Sequence, residues 1–172
     1  MIMSPEMQEK LNSQIEMEGY ASFLYLSMSA WCDYRGLMGC AQFLKRQADE
    51  EHMHMMKLLE YMQEMDVQPT IPAIAQPPSE FDEIDTLFED VLGHEQKVTQ
   101  SINELVDFST KDKDHSTYNF LQWYVEEQRE EENLIRTILD RIKLIGESPQ
   151  KLYYIDKEVE AINGTIGSGE TE

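Results

Sequence analysis

Four stretches of this chain read as long apolar helical seams, and each is broken near its middle by a carboxylate or an amide. The second is the clearest. From Leu44 it runs Leu44, Ala48, Glu51, Met55, Leu58, Met62, Met65, with the alternating 4, 3 spacing of one face of a packed helix. Glu51 stands where leucine would fit, and His54 follows one turn later on the same side, an i, i+3 pair able to grip one ion. The first seam reads Leu11, Ile15, Glu18, Ser22, Tyr25, Ser29, Cys32, with Glu18 as its intruder and Tyr25 two turns beyond. The third reads Ile84, Phe88, Val91, Glu95, Val98, Ile102, Leu105, interrupted by Glu95. The fourth reads Leu121, Tyr124, Gln128, Glu131, Ile135, Ile138, Ile142, Ile145, with two polar residues one turn apart.

Punctuation between the seams predicts the connections. Ser4 is a fitting N-cap with Pro5 at the first helical position, so the first helix should run from Pro5 to Tyr34. Gly19 within it costs about 1 kcal/mol relative to alanine and points to a close neighbour. Gly36 and Gly39 mark a short turn, and a second helix from Cys40 to Val67 becomes the antiparallel neighbour of the first. Gln68 to Ser79 holds Pro69, Pro72, Pro77 and Pro78 and should be extended. These residues reach roughly 40 Å when stretched, and the second helix is about 42 Å long. The segment can therefore return along the bundle and start the third helix beside the start of the second. The third helix is expected over Asp82–Thr110 with Ser79 as its cap, and the fourth over His115–Ile145, stopped by Gly146. Ser148-Pro149 opens a short fifth helix to Asn163. The expected fold is all-α: a four-helix bundle with a long crossover between its second and third helices and a short fifth C-terminal helix. Residues 1–163 form one domain in this reading, and the Gly/Ser/Thr-rich residues 164–172 a flexible tail.

The intruders fall at one height. Measured from one end of the bundle, Glu18 lies about 24 Å in, Glu51 and His54 about 17–21 Å, Glu95 about 23 Å, and Gln128 and Glu131 about 20–24 Å. Four buried carboxylates at one level repel each other, and each costs several kcal/mol to desolvate. No Lys or Arg in the seams neutralises them. Two divalent cations would. Oxygen donors with one imidazole suit iron or manganese better than metals that prefer thiolates. Di-iron bundles place one Glu on each of two helices and Glu-x-x-His on each of the other two. Here the second helix supplies Glu51-x-x-His54, and the fourth departs with Gln128-x-x-Glu131, which weakens the ligand field of a second metal. A polar network without metal is the alternative. Beside this layer stand Glu50, Glu127 and Glu130, which with Glu131 make either a further acidic cluster or a solvated charged stripe.

The charge balance fits a protein that attracts cations. With 34 Asp+Glu against 14 Lys+Arg, the net charge of −20 disfavours nucleic acid and anionic membranes as partners. No apolar run approaches the ~20 residues of a membrane span. Met1-Ile2-Met3 leads directly into Ser4-Pro5-Glu6 without a targeting h-region, and Cys32 and Cys40 form no CxxC pair. Free thiols in a reducing, cytoplasmic location are expected.

Together, Met28-Ser29-Ala30-Trp31-Cys32, Glu50-Glu51-x-x-His54, His94-Glu95-Gln96, the run from Asn119 to Gln128 and Leu152-Tyr153-Tyr154-Ile155-Asp156-Lys157-Glu158 resemble the non-haem bacterial ferritins, from about Pro5 to Ala161. The resemblance implies a ferroxidase centre, with a first iron site at Glu18, Glu51 and His54. It implies a second at Glu51, Glu95 and Glu131, with Gln128 close by and Glu51 bridging. A third iron site maps to Glu50, Glu127, Glu130 and Glu131. Tyr25 matches a tyrosine that gives an electron during oxygen reduction, and Trp123 is a candidate to share that task. The family implies a hollow homo-oligomeric shell of 24 subunits that oxidises Fe2+ with O2 or H2O2 and stores a ferric oxyhydroxide mineral. Bacterioferritins fit less well: they keep Glu-x-x-His in the fourth helix and bind haem through a Met where this chain has His52, so no haem is expected. Met53, Met55 and Met56 read as packing residues. Rubrerythrins add Cys-x-x-Cys iron sites absent here. The runner-up function is nevertheless a rubrerythrin-like di-iron peroxidase or oxidase that stores nothing.

Overall fold

The computed structural model describes residues 3–166, which form five helices and no strand. They are α1 (Pro5–Tyr34), α2 (Met38–Glu64), α3 (Ile84–Lys111), α4 (His115–Ile145) and α5 (Lys151–Ile166). The ends of α1 and α4 fall where the sequence places them. Ser4 caps α1 by accepting the Met7 N–H at 3.3 Å, and Asp114 caps α4 by accepting from Thr117 N at 3.0 Å.

The bounds of α2, α3 and α5 differ from the sequence reading. α2 begins at Met38 with no side-chain cap of its own. Its Cys40 N–H instead donates to Asp156 Oδ1 on α5 at 2.9 Å, so a remote residue satisfies a helix-end donor. At its other end α2 stops at Glu64, and Asp66 turns the chain with a φ of 59°. α3 begins at Ile84, not Asp82, and Ser79 is not its cap; the Glu83 N–H donates to Thr86 Oγ1 at 3.3 Å. α5 starts at Lys151 and continues to Ile166, beyond Asn163. Residues 167–172 of the expected tail lie outside the described residues.

The crossover runs back along α1. Thr70 N donates to Asn12 Oδ1 at 2.8 Å near its start, and Ser27 Oγ donates to Pro78 O at 2.6 Å near its end. Between them it passes over Gly19, where a Cβ would stand 2.7 Å from Ile74 Cδ1 and 3.1 Å from Met55 Sδ. α1 and α4 therefore run one way and α2 and α3 the other. α1 packs chiefly on α2, α3 on α4, and α5 closes one end against α2 and α4.

The apolar interior is in two parts. One contains Leu24, Tyr25, Met28, Phe43, Leu44, Phe88, Val91, Ile135 and Ile138. The other contains Met7, Leu11, Ile15, Leu58, Met62, Val98, Ile102, Leu121 and Tyr124. On every helix of the bundle the intruding polar residue lies between a stretch in the first part and a stretch in the second. Met55 is partly buried against the second part, but Met53 and Met56 are 59% and 40% exposed, which corrects their reading as packing residues. They fall off the face that carries Glu51, His54 and Leu58. No helix among the described residues is long and apolar enough to cross a membrane.

Candidate metal centre

The six seam residues Glu18, Glu51, His54, Glu95, Gln128 and Glu131 are all buried, none more than 5% exposed. One ligand atom from each of Glu18, Glu51 and His54 lies within 4.8 Å of the other two. His54 Nδ1 is 3.1 Å from Glu51 Oε2 and 4.0 Å from Glu18 Oε2. The i, i+3 spacing of α2 sets the first of these contacts, and the packing of α1 on α2 sets the second.

Glu95 and Glu131 complete the layer from α3 and α4. The Tyr25 hydroxyl donates to Glu95 Oε1, and Gln128 Nε2 donates to Glu95 Oε2 at 3.1 Å. Gln47 Nε2 donates to Glu131 Oε2 at 2.6 Å, and Gln14 Nε2 donates to Glu18 Oε1 at 2.5 Å. Gln14 is in turn held by Ser101, whose hydroxyl donates to its Oε1 at 2.5 Å. Glu18 and Glu131 are thus each oriented through one oxygen, and Glu95 through both. Glu18 Oε2, Glu51 Oε1 and Gln128 Oε1 are buried with no hydrogen-bond partner. A buried acceptor left unmatched costs roughly 1–3 kcal/mol, and three of them around one layer suit a set of cation ligands.

Electrostatics give the same picture. Burial, followed by the charges of Glu95 and Glu18, pushes the Glu51 carboxyl well above the usual range. Burial and then Glu95 and Glu50 do the same to Glu131. Glu95 is raised by burial to about 7, against the opposing hydrogen bonds from Tyr25 and Gln128. Burial, Glu95 and Glu51 push the Tyr25 hydroxyl upward. For His54, burial opposes the imidazolium, but Glu127 and Glu18 outweigh it and raise the ring. These shifts favour the protonated carboxyls when no cation is bound, and a divalent ion can take the place of such protons.

The second acidic layer is looser. Glu127 Oε1 lies 3.6 Å from His54 Nε2, and that contact, against some burial, holds Glu127 below its usual range. Glu50 Oε1 accepts from Arg46 Nη1 at 2.7 Å. Glu130 is exposed on α4. Among the described residues, only Glu18, Glu51 and His54 bring three His, Cys or acidic groups within 4.8 Å, so the structure does not gather Glu50, Glu127, Glu130 and Glu131 that tightly. Trp123 stands beside the first layer, its ring 5.4 Å from His54 and 4.9 Å from Tyr124. Cys32 and Cys40 are free and buried, and burial pushes the Cys32 thiol up to about 12. A cavity of about 540 Å³ between Trp31, Asp85 and Lys151 opens at the α5 end and includes none of the site residues.

Sequence reasoning missed Gln14, Gln47 and Arg46. A signal existed for the first two: each stands one turn before a seam glutamate, Gln14 before Glu18 and Gln47 before Glu51. Arg46 had none, because its partners include Asn163 on α5, where Arg46 Nε donates to Asn163 Oδ1 at 2.6 Å.

Comparison with known proteins gives one consistent family. Residues 8–145 match the model of the ferritin-like domain. The chain is 45% identical over 162 residues to a bacterial non-heme ferritin of Escherichia coli O157:H7, covering 94% of this chain and 98% of that one. A bacterial non-heme ferritin of Campylobacter jejuni is 46% identical over 161 residues, covering 94% and 96%. Among solved structures, an open pore ferritin from the hyperthermophilic archaeon Archaeoglobus fulgidus superposes with a TM-score of 0.89 at 43% identity, over 92% of this chain and 96% of that one.

Proposed function

The chain belongs to the ferritin family, and from that premise we propose that it oxidises Fe2+ with O2 or H2O2 within each subunit and stores the Fe3+ as a ferric oxyhydroxide mineral inside a shell of 24 copies. The observation that carries this reading is the buried layer of four carboxylates, one imidazole and one amide, three of whose acceptor atoms have no hydrogen-bond partner. Glu18, Glu51 and His54 would bind one Fe2+. Glu51, Glu95 and Glu131 would bind a second, with Gln128 Oε1 alongside. Glu51 is the group common to both, since it alone stands next to His54 and also feels Glu95 and Glu131.

The residues around this layer do three things. Gln14, Gln47 and Gln128 each fix one oxygen of a carboxylate, and Tyr25 fixes the second oxygen of Glu95, so binding costs little reorganisation. Glu51, Glu95 and Glu131 release protons as Fe2+ arrives, which couples uptake to pH. Tyr25, donating to Glu95, is placed to lose its electron and its proton together. A third iron site at Glu50, Glu127, Glu130 and Glu131 would give oxidised iron a stopping point toward solvent. Phe23, Leu26, Tyr34 and Met38 on the outer side of α1 and α2, with Leu152, Tyr153 and Tyr154 on α5, are exposed apolar side chains that support association with further copies. Unpaired buried cysteines support a cytoplasmic location.

The test is anaerobic addition of Fe2+ to the metal-free protein, admission of O2, and measurement of ferric absorbance against iron per subunit. A fast phase that saturates near two or three irons per subunit, followed by further uptake, is expected. A fast phase without further uptake would favour the non-storing di-iron redox enzyme. No fast phase would return the layer to a metal-free polar network.

A further inference from the structure

The chain has two tryptophans, and each lies under a cation. The Arg35 guanidinium sits 3.9 Å from the ring centroid of Trp31, far from the metal layer. Lys57 Nζ sits 3.2 Å from the ring centroid of Trp123, whose indole packs against both His54 and Tyr124. Lys57 lies one turn beyond His54 on α2, so the helix that supplies the imidazole also supplies the cation over its aromatic neighbour.

Reduction of O2 to water takes four electrons, and two Fe2+ supply two. The remainder comes from further Fe2+ or from oxidisable side chains, and Tyr25 and Trp123 compete for that role. They differ in what oxidation leaves behind. Tyr25 donates its hydroxyl to Glu95, so its electron can pass to the partly reduced oxygen while its proton passes to the carboxylate. The ring is then neutral. Trp123 first becomes a radical cation, facing an ammonium across 3.2 Å, before its indole proton reaches solvent. The attraction between Lys57 and the neutral ring is also lost in that step. Both effects make Trp123 the harder group to oxidise, with the charge of Glu127, which acts on Lys57, opposing them in part.

We propose that Lys57 is a positioning residue for the oxidation reaction: its ammonium holds Trp123 in the reduced form and directs the loss of side-chain electrons to Tyr25. This rests on the ferroxidase reading for the source of the oxidant, but the effect of Lys57 on the indole can be measured without iron. The metal-free protein would be exposed to azide radicals, which are uncharged and take one electron to become azide. Oxidised Trp123 would then be quantified by peptide mass spectrometry, with Trp31 as internal reference. Lys57→Met should raise the Trp123 to Trp31 ratio roughly threefold to tenfold, the range to which a cation–ring attraction of this kind converts. Lys57→Arg keeps a cation over the ring and should restore the wild-type ratio. An unchanged ratio in Lys57→Met overturns the proposal.

The second arm is freeze-quench electron paramagnetic resonance of the assembled protein after Fe2+ and O2. Wild type should give a tyrosyl signal, and Lys57→Met should add an indolyl one. An indolyl signal of equal size in both proteins would overturn the directing role even if the azide ratio moved. Failure of wild type to oxidise Fe2+ would sink the ferroxidase reading, and with it the directing role, while the azide ratio would still decide whether Lys57 protects the ring.

Discussion

A carboxyl group held away from water must carry a proton or face a cation, and Glu51, Glu95 and Glu131 are all in that position. Glu51→Ala should abolish fast Fe2+ oxidation, and a wild-type rate in stopped-flow absorbance would remove Glu51 from the bridging place. Glu51→Gln separates binding from packing. It keeps the shape but cannot ionise, so the metal-free variant at pH 7.5 should be more stable than wild type by about 1–2 kcal/mol in denaturant unfolding. It should gain nothing from added Fe2+. Glu130→Ala tests the outer layer: the first oxidation should stay intact while the ratio of Fe2+ to O2 consumed changes. An unaltered ratio would make exposed Glu130 a solvated surface charge. The seam glutamates were legible in the sequence because each breaks a strict apolar period. Gln128 was legible in the same way, but the carboxylate that each amide aims was not, because Gln47 bonds Glu131 and Gln128 bonds Glu95 across helices far apart in the chain.

At the level of helices, period and punctuation located every element, and the errors lie at helix ends, one of them fixed by a distant residue. α2 is the plain case: its first turn is satisfied by Asp156 on α5, which no local pattern announces. The same contact yields a prediction. A Cβ at Gly39 would meet Asp156 O at 2.3 Å, a backbone atom that cannot swing aside. Gly39→Ala should therefore push α5 off α2, at a cost of about 1–3 kcal/mol, read as lower thermal stability with faster amide exchange across α5. Gly19→Ala should be milder. There the obstacle is the tip of Ile74, which can rotate, and alanine regains up to about 1 kcal/mol of helix propensity. Equal losses at the two glycines would show that the crossover grips α1 as firmly as α5 grips α2.

For the molecule as a whole, acidity is the adjustable quantity. Glu95 binds its proton more tightly in the folded protein, with a folded value of about 7 against an ordinary 4.5. The native state therefore holds more protons than the unfolded chain between those values, and stability falls as pH rises through that window. Metal-free protein should lose on the order of 2 kcal/mol between pH 5 and pH 7.5, and saturating Fe2+ under anaerobic conditions should remove much of the slope. A metal-free midpoint that rises over the same interval would contradict the assignment of raised carboxyls. The two halves of the apolar interior give this balance a mechanical meaning. Every bundle helix contributes to both halves, and among the described residues the buried apolar side chains form two separate clusters on either side of the polar layer. On the ferroxidase reading, iron is the rivet that joins the halves, so a subunit's stiffness tracks its load. A partly charged shell is then a mosaic of tight and slack tiles, and local rigidity becomes a record of which tiles have most recently taken iron.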